Sequence, residues 1–213
     1  MTRPATNRRI AATLTDLTPG ILPAGTRGAI LNAALRLFAE KGYGGTSVRD
    51  IAAMADVQPA TMYAHFPSKE HVLAELIKVG HEAHHQRLRA ALLQSQPDPR
   101  EQVAALIRAH VRAHADFPTL AVVANSELHA LSPEAAAPAV ELRKQSQQLL
   151  ADVIQRGIDL GLFEVADPYL AVTAIGAMGL RVANWYTPES GRSADDVANV
   201  YAEFACRLLG VRT

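Results

Sequence analysis

The sequence predicts an all-α protein: an N-terminal three-helix head carrying a helix-turn-helix, then a C-terminal helical bundle, about nine helices in total. Three observations lead there. From Thr26 onward apolar residues recur at helical spacing. Most runs open on a serine, threonine or aspartate cap, often with proline behind it, and several close on glycine. No segment shows the two-residue alternation of a half-buried strand. With 213 residues, 49% of them apolar, the chain can bury a sizeable core as one large or two small domains.

Residues 1–23 contain Arg3, Arg8, Arg9, prolines and several threonines, and read as a flexible basic tail. The first helix begins at Thr26 and presents Ile30, Leu31, Ala34, Leu35, Leu37 and Phe38 on one side; Gly42 ends it. Thr46 or Ser47 caps the second, which carries Val48, Ile51 and Ala52. Asp56 turns the chain. Gln58 to Ala64 form a third short helix, with Pro59 in its first turn, where the missing N–H does no harm. Pro67-Ser68 stops that helix and caps a long one from Lys69 to about Leu93. Asp98-Pro99 opens a helix to about His114, Pro118 one to about Ala130, and Ser132-Pro133-Glu134 a long one to Leu160-Gly161. Asp167-Pro168 opens the next, to about Tyr186. Ser193 with Asp196 makes a capping box for the last, which ends at Leu209-Gly210. The expected division is a tail of residues 1–23, a helix-turn-helix domain of residues 24–70, and a ligand-binding and dimerisation domain of residues 71–213.

The chain carries no net formal charge, but residues 1–70 hold eight Lys/Arg against five Asp/Glu, whereas residues 71–213 hold thirteen against sixteen. A basic head on a mildly acidic body suits local attraction to phosphates. The single Cys206 excludes an internal disulfide framework. No apolar run reaches the roughly 18 residues of a membrane span, and the N-terminus lacks a signal peptide's apolar segment. A cytoplasmic protein without cofactor or membrane partner is expected.

A helix-turn-helix lays one helix across the DNA backbone while a second enters the major groove. Ile51, Val57 and Met62 can fix the angle between them, and Ala52 lets them cross closely. Outward-facing polar residues then meet DNA. Thr46 and Ser47 sit at a helix N-terminus, where hydroxyl and backbone N–H groups suit a phosphate as well as a cap. Arg49 can reach a base edge, or stand as a solvated surface arginine. Gln58 and Thr61 lie on the presumed reading helix. Tyr63 and His65 are placed to hydrogen-bond phosphates at its end, and Lys69 adds a charge beyond it.

This stretch closely resembles the N-terminal domain of the TetR family of transcriptional regulators. The matching residues are Ile30-Leu31, Ala33-Ala34, Leu37-Phe38-Ala39-Glu40, Gly42-Tyr43, Thr46 to Ala52, Ala55, Val57, Thr61, Tyr63, His65-Phe66 and Ser68-Lys69-Glu70. The resemblance implies a homodimer on a palindromic double-stranded DNA operator, usually repressing, released by a small-molecule effector. It implies DNA contacts by Thr46, Arg49, Thr61, Tyr63, His65 and Lys69. Two positions depart from the family pattern. Asp56 stands where glycine usually turns the chain, and Gln58 stands where a serine usually caps the reading helix.

Two heads reading two half-sites must be held a fixed distance apart, roughly 34–36 Å or a multiple of it. The last two helices offer apolar stripes for a dimer contact: Ile175, Met178 and Val182 on one, Val197, Val200, Tyr201, Phe204 and Leu208 on the other. The alternative reading of the same stripes is ordinary core. The remaining helices must enclose any effector. Phe117 and Val122 can line a pocket, and Asn125, His129, Arg181, Asn184 and Trp185 can anchor polar groups, or serve as satisfied core and surface residues. The order Asp167-Pro168, Trp185-Tyr186, Pro188, Gly191, Ser193 and Leu208-Leu209-Gly210 resembles family members that sense fatty acids or acyl-coenzyme A thioesters.

Three rival readings remain. His81 and His85, four apart, and His110 and His114 with the same spacing could together hold a zinc- or nickel-like ion if their two helices are antiparallel neighbours; the plain alternative is a solvated face with occasional buried histidines, and no metal is assigned. Cys206 could sense redox, or be a buried inert thiol. A helical enzyme finds no support, since nucleophile-elbow, P-loop and zinc-protease motifs are absent.

Overall fold

The computed structural model describes residues 21–211, so nearly all of the expected basic tail lies outside the described residues. The elements are α1 (Thr26–Lys41), α2 (Val48–Met54), α3 (Pro59–His65), α4 (Lys69–Gln94), α5 (Pro99–Asp116), α6 (Pro118–Ser126), α7 (Pro133–Asp159), α8 (Pro168–Leu180), α9 (Val182–Trp185) and α10 (Ala194–Leu208). Single 3-10 turns occupy Leu128–Ala130 and Pro188–Ser190. The described residues contain no strand, and no helix long and apolar enough to cross a membrane.

The caps read from sequence do their work. Ser47 with Asp50 and Ser193 with Asp196 form reciprocal capping boxes, and Ser68, Asp98, Ser132 and Asp167 each accept from a first-turn N–H. Each such cap stabilises its helix by about 1 kcal/mol. Asp50 and Asp196 are held below the usual carboxylate range by the hydrogen bonds from their serines.

Two helices are shorter than expected. The one opening at Pro118 stops at Ser126 and gives way to the 3-10 turn Leu128–Ala130. The one opening at Pro168 breaks at Arg181. That break follows Gly176, whose carbonyl accepts a hydrogen bond from outside the helix (His110 Nε2, 3.0 Å), and Gly179, which has no side chain to brace the last turn.

Two apolar cores hold the chain. The first joins α1, Ile51, Met62 and Phe66 to the front half of α4 (Val72, Leu73, Leu76, Ile77) and to α6 (Leu120, Val122, Val123, Ala124). It draws residues from both sides of the expected division at residues 70 and 71. Large side chains such as Phe38 and Leu35 are completely buried there, each contributing roughly 1.5–3 kcal/mol. The second core joins α5, α7, α8 and α10 with Leu88 near the far end of α4. Helix α4 thus threads both.

Polar ties fix the head on this frame. Arg27 of α1 donates to His65 O (3.1 Å), pairs with Glu75 (3.2 Å) and lies over the Phe66 ring at 4.3 Å. Glu70 accepts from the backbone N–H of Ser132 (2.8 Å), joining the start of α4 to the start of α7, and this bond lowers its pKa.

Candidate nucleic-acid interface and internal cavity

The turn between α2 and α3 is built as a helix-turn-helix requires. Val57 N–H donates to Ala52 O (3.0 Å), Ile51 and Met62 are fully buried, and Val57 packs against them. Asp56 has φ 53°, the left-handed conformation its position demands. It is the sole non-glycine residue there among the described residues, and aspartate tolerates that region better than most. Gln58 occupies the N-cap of α3 and makes no side-chain cap bond, so its exposed amide is free for another partner.

The candidate DNA residues divide into two groups. Ser47, Arg49, Gln58, Tyr63 and His65 are exposed and Thr61 is half-buried, all on α2, α3 and their caps. Tyr63 is 54% exposed, unusual for an aromatic ring. Thr46 and Lys69 stand apart. Thr46 is 1% exposed, and its hydroxyl donates to Gly42 O (2.9 Å). Lys69 Nζ donates to Tyr43 O and Thr46 O (2.7 Å each) and lies 4.1 Å from the Tyr43 ring centre. The expectation that these two side chains face DNA is corrected by their placement. Both are spent closing the α1–α2 turn and fastening α4 to it.

Behind the head lies a cavity of about 400 Å³, within the size range of small-molecule sites. Its walls come from α4 (Gly80, His81, His84, Arg87), α5 (Leu106, Ile107, His110, His114), α6 (Leu120, Ala121, Ala124), α7 (Arg143, Ser146, Leu150) and α8 (Thr173, Gly176, Ala177). Most of that surface is apolar. Of the residues expected to line a pocket, Phe117 and Asn125 do. Val122 is buried in the first core, and His129, Arg181 and Trp185 are exposed elsewhere. Asn184 is half-buried away from the cavity. Those five placements correct the expectation. Periodicity identifies buried faces but not which faces surround a space.

The polar edge of the cavity is specific. Arg143 donates to Asn125 Oδ1 (3.0 Å), and Asn125 Nδ2 to Ala121 O (2.7 Å). Arg87 pairs with Asp116 (3.6 Å) and covers the Phe117 ring at 4.7 Å. His81 Nε2 is buried without a partner, and burial lowers that imidazole to about 4. Burial, then the charges of neighbouring histidines, takes His84 well below its ordinary value, and His114 is lowered to about 3. Neutral imidazoles on an apolar wall can hold a carbonyl or hydroxyl oxygen. The four-histidine set expected from spacing is not the one assembled. His84, not His81 or His85, meets His110 and His114, while His85 Nδ1 bonds Ser146 Oγ (3.1 Å). Ser146 donates its own proton to Leu142 O (2.9 Å), so this is no nucleophile–base pair. The Cys206 thiol is half-buried and pushed up by that burial, unlike a redox sensor.

The stripes expected at a dimer contact also divide. Ile175, Val182 and Val197 are 0–4% exposed and belong to the chain's own second core, so their side chains cannot meet a partner. Met178, Val200 and Tyr201 are half-buried, while Phe204 and Leu208 are exposed. Tyr169 and Leu170 on α8 and Trp185 on α9 add further exposed apolar surface. Sequence periodicity missed Tyr169 and Leu170 because α8 is apolar nearly all round.

Comparisons with known proteins agree along the chain. Residues 30–76 match the model of bacterial regulatory proteins of the tetR family, and residues 96–209 match that of the tetracyclin repressor-like C-terminal domain. The HTH-type transcriptional repressor KstR2 of Mycobacterium tuberculosis is 30% identical over 177 residues, covering 82% of this chain and 88% of its own. KstR2 of Rhodococcus jostii is 29% identical over 184 residues, covering 83% and 87%. A solved tetR-family regulatory protein from Rhodococcus RHA1 superposes with a TM-score of 0.83 at 30% identity, over 90% of this chain and 100% of that one. The structure of the ketosteroid transcriptional regulator KstR2 of Mycobacterium tuberculosis gives 0.79 at 28% identity, over 90% and 97%.

Proposed function

Since this chain belongs to the TetR family, as a DNA-binding transcriptional regulator with a ligand-binding C-terminal domain and not an enzyme, we propose that it is a cytoplasmic homodimeric repressor that leaves a palindromic operator when an apolar effector fills the cavity. Residues 24–70 read DNA; residues 71–213 dimerise and hold the effector. Arg49, Gln58 and Thr61 meet base edges, while Ser47, Tyr63 and His65 meet phosphates. Thr46 and Lys69 keep that face in shape from behind. The dimer forms through Met178, Val200, Tyr201, Phe204 and Leu208 together with Tyr169, Leu170 and Trp185.

One observation carries the effector mechanism: the walls of the cavity are also the supports of the head. Leu120 and Ala124 of α6 line the cavity and belong to the core around α1. Gly80 and His81 of α4 line it one turn beyond Leu76 and Ile77, which belong to that same core. A molecule that spreads α4 from α6 therefore moves the platform on which α2 and α3 ride. By linkage, the effector weakens DNA binding by the same free energy with which DNA weakens effector binding, roughly 1–3 kcal/mol.

The effector we propose is a fatty acyl compound. Its chain lies along the aliphatic wall, and its oxygen-bearing end meets the imidazoles or the Arg143–Asn125 edge. A ketosteroid is the second reading, favoured by the likeness to the ketosteroid transcriptional regulator KstR2. The test is fluorescence anisotropy of the full chain on DNA flanking its own gene, titrated with acyl-coenzyme A thioesters and free acids of graded length, and with ketosteroids. We expect tight, salt-sensitive binding and about 5–150-fold release by one acyl length class. Release by ketosteroids alone transfers the assignment to them. Failure to bind any flanking duplex at low salt overturns the repressor reading.

A further inference from the structure

We propose that His84, His110 and His114 form a site for a borderline divalent transition ion of the zinc class, with an open coordination position facing the cavity.

The imidazole nitrogens these three residues can offer all lie within 4.8 Å of one another. Three imidazoles on a tetrahedral ion at about 2.0–2.1 Å stand about 3.4 Å apart, a change within reach of side-chain rotation. The nitrogens are already assigned by their surroundings. His110 Nε2 donates to Gly176 O (3.0 Å), which leaves Nδ1 as its acceptor atom. His114 Nδ1 donates to His110 O (2.8 Å), which leaves Nε2. His84 Nε2 sits 2.8 Å from His110 Nδ1. Carbonyls on the far nitrogens of two rings fix tautomer and orientation in the way outer-shell partners do for histidine ligands.

The scaffold makes room for this arrangement. A Cβ on Gly179 would lie 2.2 Å from His110 Cδ2 and 2.6 Å from its Nε2, so glycine there admits the ring. Without an ion, the nitrogens of the neutral trio make one contact with each other, His84 Nε2 to His110 Nδ1. An ion satisfies all three lone pairs at once. No carboxylate belongs to the group, so a bound dication keeps its full charge in an apolar space. Its open position then favours an anionic oxygen or a thiolate. If the effector reading is right, that ligand is the effector's polar end; the ion itself needs no effector.

The test uses the full chain, stripped with chelator, and cobalt(II) alone as probe. We expect one equivalent per protomer and the visible bands of a low-coordinate nitrogen site. His84→Gln, His110→Gln and His114→Gln should each weaken binding about 100-fold or more, with His85→Gln as an unaffected control. Gly179→Ala should weaken it by displacing the His110 ring without removing a ligand. Anomalous diffraction at the cobalt edge gives a second arm that needs no variant to fold: a peak between the three rings is expected. No visible bands, a peak elsewhere, or undiminished binding in the His110 and His114 variants overturns the proposal. DNA binding measured with chelator present is scored separately, so the repressor reading can fail or stand without it.

Discussion

At the scale of single residues, conformation and desolvation decide the outcomes. Asp56 at φ 53° holds a conformation that costs an ordinary side chain roughly 1–2 kcal/mol. Asp56→Ala should therefore lower stability by about 1 kcal/mol, whereas Asp56→Gly should be at least as stable as the parent; urea midpoints at constant slope check both. His81 carries a different burden. Its folded value is about 4 against 6.5 in the unfolded chain, so between those pH values the unfolded chain binds the extra proton. Stability contributed by the neutral ring is complete above about pH 6.5 and drains away as pH falls toward 4, by about 3 kcal/mol in total. His81→Leu also removes the unpartnered Nε2. It should melt higher at neutral pH and lose less on acidification; parallel pH profiles would refute the assignment. Both features bear on legibility. Asp56 could be placed in sequence because a turn between two short helices admits few residues. The burial of His81 could not, since i, i+4 spacing is the same on a wet face and a dry one. Thr46 and Lys69 show the converse. Their residue types suit DNA, yet the nearest partners in three dimensions are the carbonyls of Gly42, Tyr43 and Thr46.

At the scale of elements, the contact between α4 and α6 is the lever of the proposed switch. A Cβ on Gly80 would stand 3.3 Å from Leu120 Cγ and 3.4 Å from Ala124 Cβ. Gly80→Val should force the helices apart and mimic effector. We expect DNA affinity without ligand to fall about 5–150-fold, the range of such couplings, with helix content by circular dichroism retained. Affinity equal to the parent would detach α6 from the switch. Lys69→Ala loosens the other end of the same helix. It should weaken binding to all sequences alike, whereas Arg49→Ala should relax sequence choice by about 1–3 kcal/mol at its base pair; random-site selection separates the two. Helix caps made these elements legible to within a residue or two. The breaks at Ser126 and Arg181 were not legible, because neither position carries a proline or a glycine.

For the whole molecule, the exposed apolar surface of α8 to α10 has no partner within the protomer core. Tyr169, Leu170, Trp185, Phe204 and Leu208 are 42–77% exposed in the protomer, a concentration expected of an interaction face. Phe204→Glu with Leu208→Glu should yield a folded monomer in light scattering, and operator affinity should collapse because one head reads only half a site. A mutant that stays dimeric moves the interface elsewhere. The rim of the cavity bears on this as well. Thr173 and Ala177 line the cavity and are exposed on α8, beside the face assigned to the sister subunit. On the proposed dimer, a seated sister subunit would stand at the doorway. Residence time would be governed by subunit breathing more than by the strength of the grip inside, and transcription would stay on for a while after the inducing compound has been consumed.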